Sequence, residues 1–227
     1  MDSHFCGNDF TKTENLFLIT MNYTIPIFPL NLVVFPDSKY PLHIFEDRYK
    51  ILLQKCLKEN SGFGIVSSID KRISDVGVYV KVTNVIKTYL NGEVDIVVQG
   101  IERFLINSTS LYLDGYYTAE VEKYDDENAI VDPRLNDELQ TEFEEIVELA
   151  NYKLEDAFWS NLKSARLKSY KIAEKSGLGY EQQQELLILK NENERLSYLL
   201  NYFLSIKDKV SSAESVKKII MNDGYLN

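Results

Sequence analysis

The stretch IPIFPLNLVVFPDSKYPLHIFEDRY, residues 25–49, sets the organisation of the chain around it. Pro29, Pro36 and Pro41 interrupt it at short intervals. Because proline fixes its own φ and cannot donate to a sheet ladder, each of them ends or borders a strand. The apolar runs between the prolines therefore predict short extended pieces joined by sharp corners. From Glu46 onward apolar residues recur at helical spacing, so the bent segment is predicted to lead directly into a helix.

A β-hairpin is predicted over residues 76–99, where valine and isoleucine alternate with polar or small residues on both sides of Asn91-Gly92. Asn-Gly is typical of a type I′ turn, in which both residues adopt positive φ. Gly100 follows directly and predicts a bulge or bend. Similar patterns predict further strands within residues 62–69 and 111–124.

The second half of the chain is predicted to be helical. Asp132 and Pro133 are typical of an N-cap and a first helical position. A second helix is predicted from about residue 158 to residue 176, ended by Gly177. A short helix over 180–189 and a longer one capped by Asn191 follow, with one more short helix within 211–227.

Three segments resemble the N-terminal domain family of Lon protease: PIFPLNLVVFP with PLHIFEDRY (26–49), NGEVDIVVQGIERFLI (91–106) and the helical stretch 171–204. The resemblance covers about residues 24–208 and implies an α+β protein, a PUA-like β pseudo-barrel with one helix followed by an α-helical bundle. The implied structural signature consists of Pro29, Pro36, Pro41, His43, Phe45, Glu46, Arg48, Tyr49, Gly92, Gly100, Arg103 and Phe104. In Lon this domain recognises substrates, and the chemistry lies elsewhere in the chain.

These observations predict four segments. Residues 1–22 form a disordered or mis-assigned extension, 23–124 the barrel, 125–131 a linker and 132–227 the helical subdomain. The two cysteines, Cys6 and Cys56, are too few for a disulfide framework or a metal site. The N-terminus lacks the basic start and apolar run of a signal peptide, and no stretch reaches the ~20 apolar residues of a membrane span. We therefore expect a cytoplasmic protein without membrane attachment.

Charge is unevenly distributed along the chain. The net charge is −10, and residues 125–160 hold 12 acids and 2 bases, so the remaining 23 acids and 23 bases cancel. An acidic segment repels phosphate, which makes nucleic acid an unfavourable partner. The acidic run is interpreted as a solvated helix face, with a docking surface for a basic partner as the alternative.

The sequence contains little that points to catalysis. It has no Gly-x-x-x-x-Gly-Lys phosphate loop, His4 lies in the predicted N-terminal extension, and His43 has no serine, cysteine or second histidine nearby in sequence. His43 is interpreted as a structural hydrogen-bonding residue. Glu46 is expected to favour the helix dipole, and Arg48 and Arg103 to tie strands together through charged hydrogen bonds. We expect no cofactor, no metal and no enzymatic activity.

What remains is surface for polypeptides. We expect a non-enzymatic module that binds an unfolded or partner polypeptide, as an adaptor or quality-control factor, and that is a monomer or a weak dimer. The alternatives are a PUA-like protein that binds RNA or a small ligand and, less favoured, an unrecognised hydrolase. A bent sheet with exposed aromatic residues can accept an extended chain. The candidate contacts are Tyr40, Phe63, Tyr79, Tyr89, Tyr112, Tyr116 and Tyr117.

Overall fold

The computed structural model describes residues 22–69 and 72–207 and confirms the α+β class. Except for Asn22, the predicted extension 1–22 lies outside the described residues, as does the helix predicted within 211–227. The described residues form seven strands and six helices: β1 Tyr23–Leu30, β2 Lys39–Ile44, α1 Asp47–Glu59, β3 Phe63–Ile69, β4 Arg72–Ile73, β5 Val76–Thr88, β6 Val94–Leu111, β7 Tyr117–Lys123, α2 Pro133–Leu149, α3 Asp156–Ser164, α4 Lys168–Ala173, α5 Tyr180–Ile188 and α6 Glu192–Lys207.

Five of the strands close into a ring. Their order is β1-β7-β6-β5-β3, and β3 returns to β1 through the one parallel pairing among the pairs that the structure describes. Strand β2 lies outside the ring and pairs with the first half of β6, while the short β4 pairs with β3. Closure pairs both edges of the ring strands, and it leaves β2 as an edge strand.

The inside of the ring is filled around Phe104. The Phe104 side chain belongs to a separate buried cluster, which contains Ile25, Ile27, Val66, Phe104, Ala119 and Val121. A Cβ atom built on Gly64 or on Gly77 would lie 2.6 Å from the tip of the Phe104 ring. The phenylalanine of the Gly-x-x-Arg-Phe sequence therefore requires glycine on the two strands that face it.

The proline corner between β1 and β2 packs against the bulge predicted at Gly100. The Asp37 N–H donates to the Gly100 carbonyl at 3.0 Å. The register of β5 and β6 shifts at this point, between Tyr79 and Val80, which confirms the bulge. A side chain at Gly100 would collide with the Phe35 carbonyl oxygen. The bulge thus makes room for the corner that places β2 beside the ring.

The predicted hairpin is present, but the predicted type I′ turn is wrong. The Tyr89 N–H donates to the Glu93 carbonyl at 2.8 Å, and the Gly92 N–H donates to the Tyr89 carbonyl at 3.0 Å. Of Asn91 and Gly92, only Gly92 has a positive φ, 82°. The loop thus has three residues, a type I turn followed by glycine in the left-handed region. The extra residue is Leu90, which is fully exposed at the tip.

The two predicted N-caps are confirmed, whereas Gly177 does not cap a helix, since α4 ends at Ala173 with Glu174 as its C-cap. The Asp132 side chain accepts a hydrogen bond from the Arg134 N–H, and Pro133 takes the first helical position of α2. The Asn191 side chain accepts from the Asn193 N–H at 2.9 Å at the start of α6. Both caps satisfy N–H groups that have no partner within the helix.

The single helix predicted over 158–176 is wrong, because the chain forms α3 and α4 with a break between them. Ala165 and Leu167 have extended ψ values of 134° and 97°. The break lets α4 turn its Tyr170 ring onto Phe35 of the proline corner, with ring centroids 5.3 Å apart. A contact between residues so far apart in sequence is invisible to helical periodicity.

One continuous core joins the sheet to the helices, with buried residues from β5 and β6 packed in the same cluster as residues from α2, α5 and α6. The connector 125–131 contains no helix or strand. It follows the helical half closely, since the Glu127 N–H donates to the Lys190 carbonyl at 2.8 Å. The helical half also bonds to the sheet, since the Gln184 side chain of α5 donates to the Val76 carbonyl of β5 at 3.0 Å. The division into two domains stays a prediction.

Candidate functional site

An apolar groove of about 660 Å³ lies beside the ring, between β2, the proline corner and the start of α5. Its apolar lining comes from Phe28, Leu30, Leu32, Leu42, Phe45 and Ile86, and Tyr180 of α5 forms part of the wall. Phe45 and Ile86 are 58% and 57% exposed. Large side chains this exposed on the rim of a concave surface are typical of a site that a partner covers.

The polar rim of the apolar groove is held in place by hydrogen bonds around His43. His43 faces Asp95 across the β2–β6 pair, and its Nδ1 lies 2.7 Å from an Asp95 carboxylate oxygen. The Tyr89 hydroxyl donates to the other oxygen of Asp95 at 2.7 Å. These hydrogen bonds, first from His43 and then from Tyr89, lower the pKa of Asp95. His43 is thus a hydrogen-bonding residue of the rim, and Asp95 is ionised at neutral pH.

Glu46 and Arg48 pair with each other at the end of the apolar groove. The Arg48 guanidinium donates to the Glu46 carboxylate at 2.7 and 2.9 Å, and both side chains are partly exposed. Arg48 also lies over the Tyr49 ring, 4.6 Å from its centroid. The expectation that Arg48 ties strand ends together is therefore wrong, since its ionic partner is two residues away in the chain. Glu46 occupies the N-cap position of α1 without a capping hydrogen bond from its side chain.

A second cavity, which we call the junction cleft, has a volume of about 670 Å³ and lies where the α3–α4 loop faces the proline corner. Its polar lining includes Asp37, Lys39, Gln99, Arg166, Lys171 and Glu174. At its floor the Ser38 hydroxyl donates to the Glu174 carboxylate, which also pairs with Lys171 at 2.6 Å. The junction cleft is thus polar and charged, in contrast to the apolar groove.

The seven aromatic residues predicted to contact a polypeptide do not form one surface. Tyr40, Phe63 and Tyr116 are only 7%, 1% and 1% exposed, so the expectation of an exposed ring is wrong for these three. Tyr112 stacks on Tyr116 at the β6–β7 turn, with ring centroids 5.0 Å apart. The others lie on different strands: Tyr79 on β5, Tyr89 at the hairpin turn and Tyr117 on β7. Of the seven, only Tyr40 lines the apolar groove, and Tyr89 supports its rim.

Arg103 forms charged hydrogen bonds, as predicted. They tie the sheet to the connector and the helices, whereas the prediction had them tie strands together. Its guanidinium donates to the backbone carbonyl of Leu189, at the end of α5, at 2.8 Å and pairs with Asp126 of the connector. Arg195 of α6 holds the same Asp126 through two hydrogen bonds of 2.8 Å and pairs with Glu192 at 2.9 Å. Both arginines are buried. This polar network fixes how the helical half sits on the ring, and so it fixes the junction cleft.

Sequence reasoning missed the apolar lining of the groove. It treated the proline-rich stretch as scaffold, yet Leu30, Leu32 and Leu42 of that stretch line the cavity. It also missed Ile86, which is exposed beside Val85 where the β5–β6 register shifts. The sequence does hold a signal for this exposed residue: Val85 and Ile86 are adjacent aliphatic residues at the point where the strict alternation of β5 ends. The bulge lies in the outer half of β5, where Val85 and Ile86 are both exposed, 42% and 57%.

Neither cavity holds a recognisable set of metal ligands. Over residues 22–69 and 72–207, no three His, Cys, Asp or Glu side chains come together in an arrangement suited to a metal ion. No helix in the same residues is long and apolar enough to cross a membrane.

A closed sheet joined to a helical half, with an apolar groove beside an edge strand, defines the architecture of a binding module. The sequence match identifies which one: the chain belongs to the family of the substrate-binding domain of ATP-dependent protease La (Lon), which it matches over residues 24–204.

Two solved structures have the same fold. A Lon N-terminal domain protein from Xanthomonas campestris is 23% identical, with a TM-score of 0.63 over 79% of this chain and 98% of that one. The N-terminal domain of the Mycobacterium avium complex Lon protease is 16% identical, with a TM-score of 0.60 over 80% of this chain and 98% of that one.

Proposed function

We propose that this protein binds polypeptides without catalysing a reaction, and that apolar side chains of an unfolded or extended segment enter the apolar groove. Membership of the Lon substrate-binding family supports the class of ligand. The observation that carries the proposal is the apolar groove itself, with Phe45 and Ile86 exposed on its rim. Covering them with apolar side chains removes hydrocarbon surface from water, which is the main driving force for such association.

The size of the apolar groove favours a short segment as its occupant. Its volume of about 660 Å³ lies within the ~300–1,000 Å³ typical of pockets for small ligands. A folded domain cannot enter such a space, whereas a few side chains of an extended chain can. Unfolded chains expose these side chains and folded proteins bury them. The apolar groove therefore suits recognition of the unfolded state.

Side chains carry this recognition better than strand addition does. Strand β2 has an open edge, because it pairs with β6 on one side only. The Gly100 N–H donates to the Ser38 carbonyl, so the backbone groups of Ser38 point toward β6. In an antiparallel ladder this direction alternates along the strand, so the backbone of Pro41, three residues on, points to the open edge. Proline has no N–H to offer, so the middle of the open edge cannot donate to an added strand.

An adaptor or quality-control role extends this proposal. A module that holds unfolded segments without cutting them can deliver them to a protease or a chaperone. Affinity purification with Phe45→Ser as the matched control tests this role. We expect a protease or chaperone to be recovered with the wild type and not with the variant, while equal recovery with both would contradict it.

The primary test measures binding of a permanently unfolded protein, reduced and carboxymethylated, by fluorescence anisotropy. We expect Phe45→Ser to raise Kd about tenfold and Ile86→Ser somewhat less, because each removes apolar rim surface worth roughly 1–2 kcal/mol. Both side chains are largely exposed, so the fold should survive either change.

The matched control is Leu113→Ser, which removes a fully exposed leucine at the β6–β7 turn. It should leave Kd unchanged, because Leu113 does not line the apolar groove. Equal weakening by Leu113→Ser would assign binding to general surface hydrophobicity. Unchanged binding in the two rim variants would remove the apolar groove as the site.

A further inference from the structure

The segment around the α3–α4 break is basic in an acidic protein. Residues 161–175 hold five bases (Lys163, Arg166, Lys168, Lys171 and Lys175) and one acid, Glu174, so their balance is +4 while the whole chain carries −10. The break between α3 and α4 brings this segment to the junction cleft. Two of these bases, Arg166 and Lys171, line the junction cleft, where together with Lys39 they outnumber the two acids, Asp37 and Glu174.

Two exposed cations line the junction cleft, Lys39 and Arg166, and Lys39 already interacts with another group. Lys171 is occupied, because it pairs with Glu174 at 2.6 Å. Among the residues that the structure describes, no ion pair uses Arg166, and its side chain is exposed at the rim. A guanidinium in this position presents a planar fork that matches a carboxylate.

The junction cleft and the apolar groove each share lining residues with a narrow crevice between them, and we call the three cavities together the trough. The crevice is lined by Leu32 and Tyr40, which also line the apolar groove, and by Lys39 and Glu174, which also line the junction cleft. The trough follows β2, whose six residues span about 20 Å at ~3.3 Å per residue. One extended segment of about ten residues can therefore reach both ends.

We propose that the polypeptide segments bound by this protein combine apolar residues with an acidic flank, the apolar side chains lying in the groove and the acidic side chains meeting Arg166 in the junction cleft. This inference rests on the proposed function and adds a sequence preference to it. The charges that line the two ends support this polarity. The junction cleft is lined by three bases (Lys39, Arg166 and Lys171) and two acids (Asp37 and Glu174), whereas the apolar groove is lined by Glu46 and Asp95 and by no lysine or arginine. An acidic side chain is therefore favoured at the junction cleft over the apolar groove.

The test uses synthetic peptides of about ten residues that carry a neutral dye and share one apolar core. Their flanks are acidic (Asp-Glu), neutral (Asn-Gln) or basic (Lys-Lys), placed at the N-terminal or the C-terminal end in separate peptides. We expect one acidic placement to bind the full-length protein about fivefold tighter than its neutral counterpart, the effect of a partly exposed ion pair. The advantage should shrink at about 0.5 M salt, because salt screens exposed charges.

Variants of the protein locate the effect. Arg166→Gln should abolish the preference for the acidic flank, and Arg166→Glu should reverse it in favour of the basic flank. The matched control is Lys163→Gln, which removes an exposed charge of the same segment outside the cleft lining, and it should keep the preference. Equal binding of acidic and neutral peptides, or a preference unchanged in Arg166→Glu, would overturn the inference.

The same peptides separate this inference from the function on which it rests. If the neutral peptide binds and Phe45→Ser weakens it, the proposed function holds whatever the flanks do. If no peptide binds, the proposed function fails. An RNA oligonucleotide is included as a competitor, and displacement of the acidic peptide by RNA at about 0.15 M salt would assign the junction cleft to phosphate and overturn the acidic-polypeptide inference.

Discussion

The inside of the ring and the junction between ring and helices are both buried, yet they are built in opposite ways. Inside the ring, Phe104 packs against aliphatic residues and against the bare backbone of Gly64 and Gly77. At the junction, Arg103 and Arg195 share Asp126 through charged hydrogen bonds. Apolar packing is non-directional, whereas a bidentate ion pair fixes an orientation. The ring thus provides a rigid base, and the junction determines how the helices lie on it.

This difference matters for the trough, because one of its walls comes from the sheet and the proline corner and the other comes from the helical half. The apolar groove takes most of its lining from the sheet and the proline corner, and Tyr180 from the helical half. The junction cleft is shared between the corner and the α3–α4 segment. A change at the junction should therefore alter the cleft, while a change inside the ring should lower stability without altering it.

The largest effect is expected for Arg195→Met, which breaks the junction network. It removes one of the two arginine partners of the partly buried Asp126 and the arginine partner of the buried Glu192. Burial disfavours a charged guanidinium, yet hydrogen bonds to Asp126 and the nearby charges outweigh burial and raise the pKa of Arg195. We expect the free energy of unfolding to fall by about 3–5 kcal/mol, measured by urea denaturation.

Arg134→Met is the matched control for Arg195→Met, because Arg134 is exposed on α2. It should change the free energy of unfolding by less than about 0.5 kcal/mol. A loss below about 1 kcal/mol for Arg195→Met would contradict the role of the network, since one buried unpaired group costs at least that much.

A smaller loss is expected for Gly77→Ala, which overfills the ring. The added Cβ would lie 2.6 Å from the Phe104 ring and 2.7 Å from the Ile65 carbonyl oxygen, and the backbone cannot yield as a side chain can. We expect a loss of about 1–3 kcal/mol by urea denaturation, with peptide binding by the folded variant unchanged. Gly179→Ala serves as the control, since nothing lies within 3.7 Å of the added Cβ and the cost should stay near 0.5 kcal/mol. Equal stability of the two variants would show that the interior of the ring can expand.

The smallest effect at neutral pH is expected for Tyr170→Phe, at the contact between the proline corner and α4. The Tyr170 hydroxyl is buried and has no hydrogen-bond partner among the described residues, while its ring stacks on Phe35. Removing an unsatisfied hydroxyl and keeping the ring should change stability by less than about 0.5 kcal/mol.

At alkaline pH the same variant should behave differently from the wild type. Burial raises the pKa of Tyr170 to about 12, whereas the pKa of a tyrosine in the unfolded chain is about 10. Between these values the unfolded chain has lost the proton and the folded chain has kept it, so stability falls as pH rises. The wild type should therefore lose more stability than Tyr170→Phe between about pH 9.5 and 11, measured by urea denaturation. Parallel pH profiles would contradict this assignment.

Several features of this protein follow from short stretches of sequence alone. Alternation over two strands around Gly92 predicts the hairpin, Asp132 with Pro133 predicts the start of α2, and Gly100 predicts the bulge. These features are local, because turn geometry, capping and side-chain periodicity depend on residues a few positions apart. Together with the resemblance to the Lon N-terminal domain, they were enough for the α+β class and the family.

The candidate site depended on contacts that no local pattern contains. Packing in the core that joins sheet and helices buries Phe63 and Tyr116, whereas Phe45 stays exposed, although all three are aromatic residues of predicted extended segments. The chain breaks between α3 and α4 so that Tyr170 can reach Phe35, and that break carries Arg166 to the junction cleft. The sequence by itself determined the elements and the family, and tertiary packing decided which side chains face solvent together, because burial depends on partners that lie far apart along the chain.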